Sequence, residues 1–220
     1  MIPAASARVD RAAAVRAALR TLVARSGFHG ASMSGVAAEA GVAAGTAYVH
    51  YASKDELVLA TYLEVKRDLG AAAIAGVDPT APADERFRAM WHGIHRYLSA
   101  DPDRARFLIQ VDGSPYAKTA HARAMAAADD PIAAEAGRAD LAARLASLPV
   151  QVLYDLGFGP AVRLAAAGEP LDADALDALA QACWRAVTRP ERAAAAHRLS
   201  AGTRTPRRAR APKRPTRRRR

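Results

Sequence analysis

An all-α fold is what this sequence predicts, and three observations carry it. Alanine supplies 58 of the 112 hydrophobic residues, whereas valine and isoleucine together supply 19, so helix formers dominate and strand formers are scarce. Large apolar residues recur at spacings of three and four, the period of one helix face. Glycine and proline punctuate the chain between those stretches, at Gly27, Gly41, Pro79, Pro82 and Pro160. A chain of 220 residues is also long enough to bury a sizeable core.

The elements follow in order. Val15, Leu19, Leu22 and Val23 make one stripe on a helix over about residues 9–25, closed by Gly27. Ser32 precedes a short run, 33–40, that Gly41 ends. A second short run covers 43–51. Ser53 and Glu56, three apart, form a capping box for a helix reaching about residue 75. After Pro79 and Pro82, Phe87, Met90, Trp91, Ile94 and Leu98 mark a helix over 84–100. Asp101-Pro102 and Asp130-Pro131 each put a side-chain acceptor at a cap and proline at the first helical position. Leu141, Leu145, Leu148, Val152 and Leu156 keep helical spacing, but Pro149 argues against one continuous helix. Gly157-Phe158-Gly159-Pro160 interrupts again. The last helix spans about 171–187, with Leu176, Leu179, Cys183 and Val187 on one side and Trp184 beside them. Two helices from this region have the apolar surface to bury more than one subunit covers, so a dimer is expected.

Charge is distributed unevenly. Ten of the 32 lysines and arginines lie in residues 201–220, which hold no acidic residue, so residues 1–200 carry 22 basic against 22 acidic side chains. The net charge of +10 therefore belongs to that last segment. With Pro206, Pro212 and Pro215 and almost no large apolar residue, it is expected to be disordered. Such a segment attracts polyanions by counterion release without reading sequence.

Several classes drop out. Cys183 is the single cysteine, so no internal disulfide forms, and no Cys/His cluster has zinc spacing. No apolar run reaches the roughly 20 residues of a membrane span. Residues 1–10 lack a secretory pattern. A cytoplasmic protein without cofactor is expected. His92 and His95 share a helix face but find no third ligand, so the pair is read as packed or solvated rather than as a metal site. No phosphate loop, nucleophile elbow or His-Glu-x-x-His pattern occurs, and no catalytic residue is assigned.

Residues 27–56 read as short helix, glycine turn, short helix, capped helix. That is the order of a helix-turn-helix, whose second helix enters the DNA major groove. Thr46 offers a hydroxyl and a methyl, Tyr48 and His50 polar tips, Lys54 a charge, and Gly45 close backbone approach. Spacing alone equally allows two packing helices with Tyr48 and Tyr51 in a core.

The run from Gly30 to Leu57 resembles the DNA-binding domain of TetR-type transcriptional regulators, because Ala40-Gly41-Val42, Gly45-Thr46-x-Tyr48-x-His50-Tyr51 and Ser53-Lys54-x-Glu56-Leu57 occur in that family's order and spacing. The likeness covers roughly residues 8–68. It implies an N-terminal three-helix helix-turn-helix domain followed by a C-terminal helical domain for ligand binding and dimerisation. The corresponding boundaries are a disordered arm 1–7, a DNA-binding domain 8–68, a ligand-binding and dimerisation domain 69–190, and a disordered basic segment 191–220. Position by position, the DNA contacts implied are Ser32, Ala43, Ala44, Gly45, Thr46, Ala47, Tyr48, His50 and Lys54. Four positions depart from the family pattern: Gly35, Ala43, Ala44 and Ala47 are smaller or less polar than usual there. An alanine face cannot make the bidentate base contacts that discriminate strongly.

The resemblance further implies a homodimer on a palindromic double-stranded operator, acting as a repressor that a small, largely apolar effector releases. Candidate pocket residues are the large side chains Trp91, His95, Phe107 and Tyr116, together with Met125, Tyr154, Phe158 and Trp184. Two other classes stay open: a polyanion or nucleoid-type binder working through its basic segment, and a helical carrier or enzyme using the C-terminal cavity.

Overall fold

The first helix, α1 (Ala4–Gly30), begins five residues ahead of the expected start. Ala4, Ala5 and Ala7 are strong helix formers that extend it into the segment expected to be disordered. It breaks at Gly27, whose φ of 67° and ψ of −178° are non-helical, before one last turn. This computed structural model describes residues 4–127 and 130–189, with side chains from residue 11 onward, and the basic segment 201–220 lies outside the described residues.

Helix α2 (Met33–Glu39) starts at Ser32, whose Oγ accepts the Gly35 N–H at 3.1 Å. It ends in a Schellman turn. The Val42 N–H donates to the Ala37 carbonyl at 2.9 Å and the Gly41 N–H to the Ala38 carbonyl at 3.1 Å. Gly41 has φ 66°, a left-handed conformation that costs glycine nothing. The chain then enters α3 (Ala44–His50) directly. Helix α4 (Lys54–Ile74) is capped as the sequence predicts, with the Glu56 N–H donating to Ser53 Oγ at 3.1 Å. The reciprocal bond differs by one residue, since Glu56 Oε2 accepts the Ala52 N–H at 2.8 Å.

The remaining helices are α5 (Ala83–Ser99), α6 (Pro102–Asp112), α7 (Ala117–Met125), α8 (Pro131–Ala136), α9 (Ala139–Ala142), α10 (Val150–Gly157), α11 (Gly159–Ala167) and α12 (Ala173–Val187). Among the described residues no strand forms, only an isolated bridge between Leu145 and Thr188. The described residues up to Thr188 make one compact unit. The boundary expected at 68/69 falls inside α4, so one helix serves both halves. At Gly93 of α5 an added Cβ would lie 2.4 Å from the Ala72 carbonyl oxygen, which is why this contact between α4 and α5 is so close.

Two of the expected caps part company. Asp130 accepts the Ile132 and Ala133 N–H groups at 2.9 and 3.2 Å, as the sequence predicts. Asp101 does not cap α6; its carboxylate instead takes Arg20 of α1 at 2.8 Å and Arg104 at 3.4 Å. A charge-assisted contact to arginine outcompetes a single neutral N–H. Pro149 does break the helix suggested over 141–156, leaving α9 and α10 on either side. Among the described residues no helix is long and apolar enough to cross a membrane.

Candidate functional site

Helix α3 is only seven residues long, too short to stand without tertiary support. Two residues anchor it. Ala47 is 0 % exposed and belongs to the same buried core as Val36 and Ala37 of α2. Tyr51, just past the helix, is buried, and its hydroxyl accepts from Arg16 Nη1 at 2.5 Å while donating to the Ala12 carbonyl at 3.4 Å. Arg16 also donates to Glu64 at 2.6 Å, which raises its pKa further above the ordinary value. The Arg16 guanidinium thus ties α1, the end of α3 and α4 together.

This anchoring turns the opposite side of α3 outward. Tyr48 is 54 % exposed and Val49 67 %. Ala43, Ala44 and Gly45 are exposed, Thr46 and His50 half-buried, and Ser32 is exposed at the start of α2. The packing alternative, with both tyrosines in a core, applies to Tyr51 alone. Ala47 must be removed from the expected DNA contacts, since the side chain that pins α3 to the core cannot also meet a base. Lys54 is half-buried and its ammonium donates to the Phe28 carbonyl oxygen, so it holds α1 to α4. Val49 is the exposed residue that sequence reasoning missed; its place one position after Tyr48 was the available signal.

The second site is a cavity of about 180 Å³ in the C-terminal half. Of the expected pocket residues, Met125, Tyr154 and Phe158 line it. The other five do not, because helix packing consumes them. Trp91 and Phe107 are 0 % exposed core residues. His95 stacks on Trp91 with ring centres 5.6 Å apart, and Trp184 packs on Phe87 at 5.4 Å. Tyr116 packs on Phe28 at 5.0 Å and donates its hydroxyl to Asp55 at 2.8 Å. Burial and the Asp55 carboxylate push the Tyr116 phenol up to about 12.

Sequence reasoning missed the cavity's polar groups. Tyr62 and Lys66, four apart on α4, share one face, and that face enters the cavity. Lys66 Nζ donates to the Tyr154 hydroxyl at 3.0 Å and sits 4.1 Å from the centre of the same ring. His121 and Asp112 also line it, 2.8 Å apart. A tyrosine and a lysine inside the stripe Leu59, Val65, Leu69 were the signal available on α4. His92 meets Asp177 at 3.5 Å and His95 meets Ser99 Oγ at 3.2 Å, and no cluster of three metal-ligating side chains occurs among the described residues.

Two family models match the chain: "Bacterial regulatory proteins, tetR family" over residues 15–61 and "Tetracyclin repressor-like, C-terminal domain" over residues 82–188. An HTH-type transcriptional regulator of Haemophilus influenzae is 31 % identical over 185 residues, covering 82 % of this chain and 97 % of the relative. A solved TetR-family regulator from Haemophilus influenzae superimposes with a TM-score of 0.70 at 30 % identity, covering 83 % of this chain and 99 % of the other. A regulator from Marinobacter aquaeolei gives a TM-score of 0.71 at 21 % identity over 83 % and 97 %, a likeness of fold.

Proposed function

Because the chain belongs to the TetR family of bacterial transcriptional regulators, we propose that it is a repressor that reads a palindromic operator through α3 and releases it when a small molecule fills the C-terminal cavity. It is a DNA-binding regulator by family. The observation that carries the detailed reading is the division of α3 into a buried side, Ala47, and an outward side bearing Tyr48. On that side Thr46 and Tyr48 meet bases and phosphate, Ser32 and the open backbone at Gly45 meet phosphate, and Ala43, Ala44 and Val49 offer apolar contact to thymine methyls. His50 stands at the rim of the same surface.

A homodimer places two such helices in successive major grooves, about 34–36 Å apart. The exposed apolar residues Leu148, Val150, Val152, Leu156 and Leu171 support that assembly, since a stable monomer rarely leaves so many of its large side chains in water. The effector binds the conformation in which this spacing is wrong and shifts the population towards it. The protein works in the cytoplasm, with the DNA it reads. Footprinting on DNA flanking its own coding sequence is the test: a protected palindrome, lost as effector is added, supports the reading, and uniform coating removes it.

One further contribution comes from the basic segment. Residues 43–51 contain no lysine or arginine, so phosphate neutralisation has to come from elsewhere, and residues 201–220 supply ten positive charges. Deleting 201–220 lowers operator affinity and flattens its salt dependence; an unchanged slope removes this contribution.

A further inference from the structure

We infer that the cavity takes a small amphiphilic carboxylate, its anionic head held by Lys66 and Tyr62 of α4 and its hydrocarbon part lying among Phe87, Phe158 and Leu145. The inference rests on the effector reading above and names the chemistry of its ligand.

The charged groups inside the cavity differ in what they are paired with. Four charged or titratable side chains besides the tyrosines line it: Lys66, Asp112, His121 and Asp130. Asp130 accepts the Ile132 and Ala133 N–H groups through its Oδ1, which orients that carboxylate towards the start of α8. Asp112 is engaged by His121 at 2.8 Å. Lys66 alone has no carboxylate partner among the described residues; the Tyr154 hydroxyl and ring face are what it touches. A hydroxyl and a ring face are poor substitutes for an anion around a half-buried lysine. A ligand carboxylate at Lys66 supplies the ion pair that no side chain among the described residues makes with it.

Tyr62 strengthens this assignment. It is 4 % exposed, its ring lies 6.0 Å from His121, and no hydrogen bond to its hydroxyl occurs among the described residues. Burial first, then the nearby Asp112 and Tyr154, raise its pKa, so the phenol stays a neutral O–H donor. A donor one helical turn from Lys66 on the same face gives a carboxylate its second hydrogen bond. The remaining lining is mainly aliphatic and aromatic, with Met90 and Val187 beside the three residues named above. Cavities of about 150 Å³ admit benzene, so about 180 Å³ suits a single ring or a short chain rather than a bulky polycycle.

Hexanoate, 1-hexanol and hexylamine carry one hydrocarbon body with an anionic, neutral and cationic head. Calorimetric titration into the full-length, DNA-free protein is expected to give hexanoate about tenfold tighter than 1-hexanol, the worth of one charge-assisted contact. Hexylamine should not saturate. Lys66→Met keeps the length and apolar stem of the side chain; it should bring hexanoate down to the level of 1-hexanol and leave 1-hexanol within twofold. Tyr62→Phe, which deletes only the hydroxyl, should weaken hexanoate and spare 1-hexanol. Equal affinity for all three heads, a preference for hexylamine, no binding of any, or hexanoate unaffected by Lys66→Met would each overturn the inference. Operator release, followed by anisotropy on the same samples, separates the two readings. Hexanoate bound through Lys66 with operator affinity unchanged keeps the carboxylate site and removes the effector role. Release driven by 1-hexanol or hexylamine rather than hexanoate keeps the effector role and removes the carboxylate.

Discussion

The Tyr116 hydroxyl donates to the Asp55 carboxylate at 2.8 Å, joining the start of α7 to the first turn of α4. The same tyrosine packs on Phe28 at 5.0 Å, and the Phe28 carbonyl is held by Lys54. Helix α7 also carries His121 and Met125 of the cavity wall. One side chain therefore touches both the element that lines the cavity and the turn that follows the reading helix.

Tyr116→Phe keeps the ring contact and removes this one bond. It should cost about 1 kcal/mol of stability, the usual net value of a hydrogen bond. The ratio of operator affinities with and without hexanoate should move towards one. Anisotropy titrations on operator DNA check the ratio; an unaltered ratio would show that the contact is structural only.

For the reading helix, Thr46→Ala and Tyr48→Phe each remove a hydroxyl from the outward side without touching the anchor. Each should weaken operator binding about three- to tenfold. The two should differ in kind: Thr46→Ala narrows the gap between operator and random DNA, whereas Tyr48→Phe lowers both together. Competition titrations with the two DNAs distinguish these outcomes.

Ala47 behaves oppositely. At 0 % exposure it has no room to grow, and Ala47→Leu should cost about 1–3 kcal/mol by overpacking. Thermal unfolding of the DNA-free protein reads that loss, and unchanged stability would return Ala47 to the surface.

How much of this was legible in the sequence follows the range of the interactions involved. Gly41, Ser32 and the Ser53/Glu56 pair announce their roles because a cap or a left-handed turn is satisfied within five residues. Asp101 misleads for the opposite reason: its partner Arg20 is 81 residues away, and no local rule anticipates it. Trp91, Phe107 and Trp184 could not be told from cavity residues, since a core and a pocket recruit the same apolar side chains. Only the third dimension shows that Phe158 borders empty space while Phe107 does not.

Acid should weaken the fold in a way that His95 reports. Half-burial against Trp91, and secondarily the neighbouring His92, hold its pKa below the ordinary 6.5. The unfolded chain takes up this proton first, so stability is full above about pH 6.5 and declines as the pH falls through that value. His95→Gln cannot titrate; its melting temperature should fall less between pH 7.5 and 5.5 than that of the parent protein. Equal drops in the two proteins would assign the acid sensitivity to other groups.

Helix α4 runs without interruption from Lys54 to Ile74, with Tyr62 and Lys66 partway along it. From Lys66 back to Lys54 is about 18 Å of rise. An uninterrupted helix of this length is suited to act as a lever rather than a spring, carrying a tilt imposed near Lys66 to its Lys54 end. On the function proposed above, occupancy of the cavity becomes geometry at α3 without a hinge having to open or a loop having to reorder.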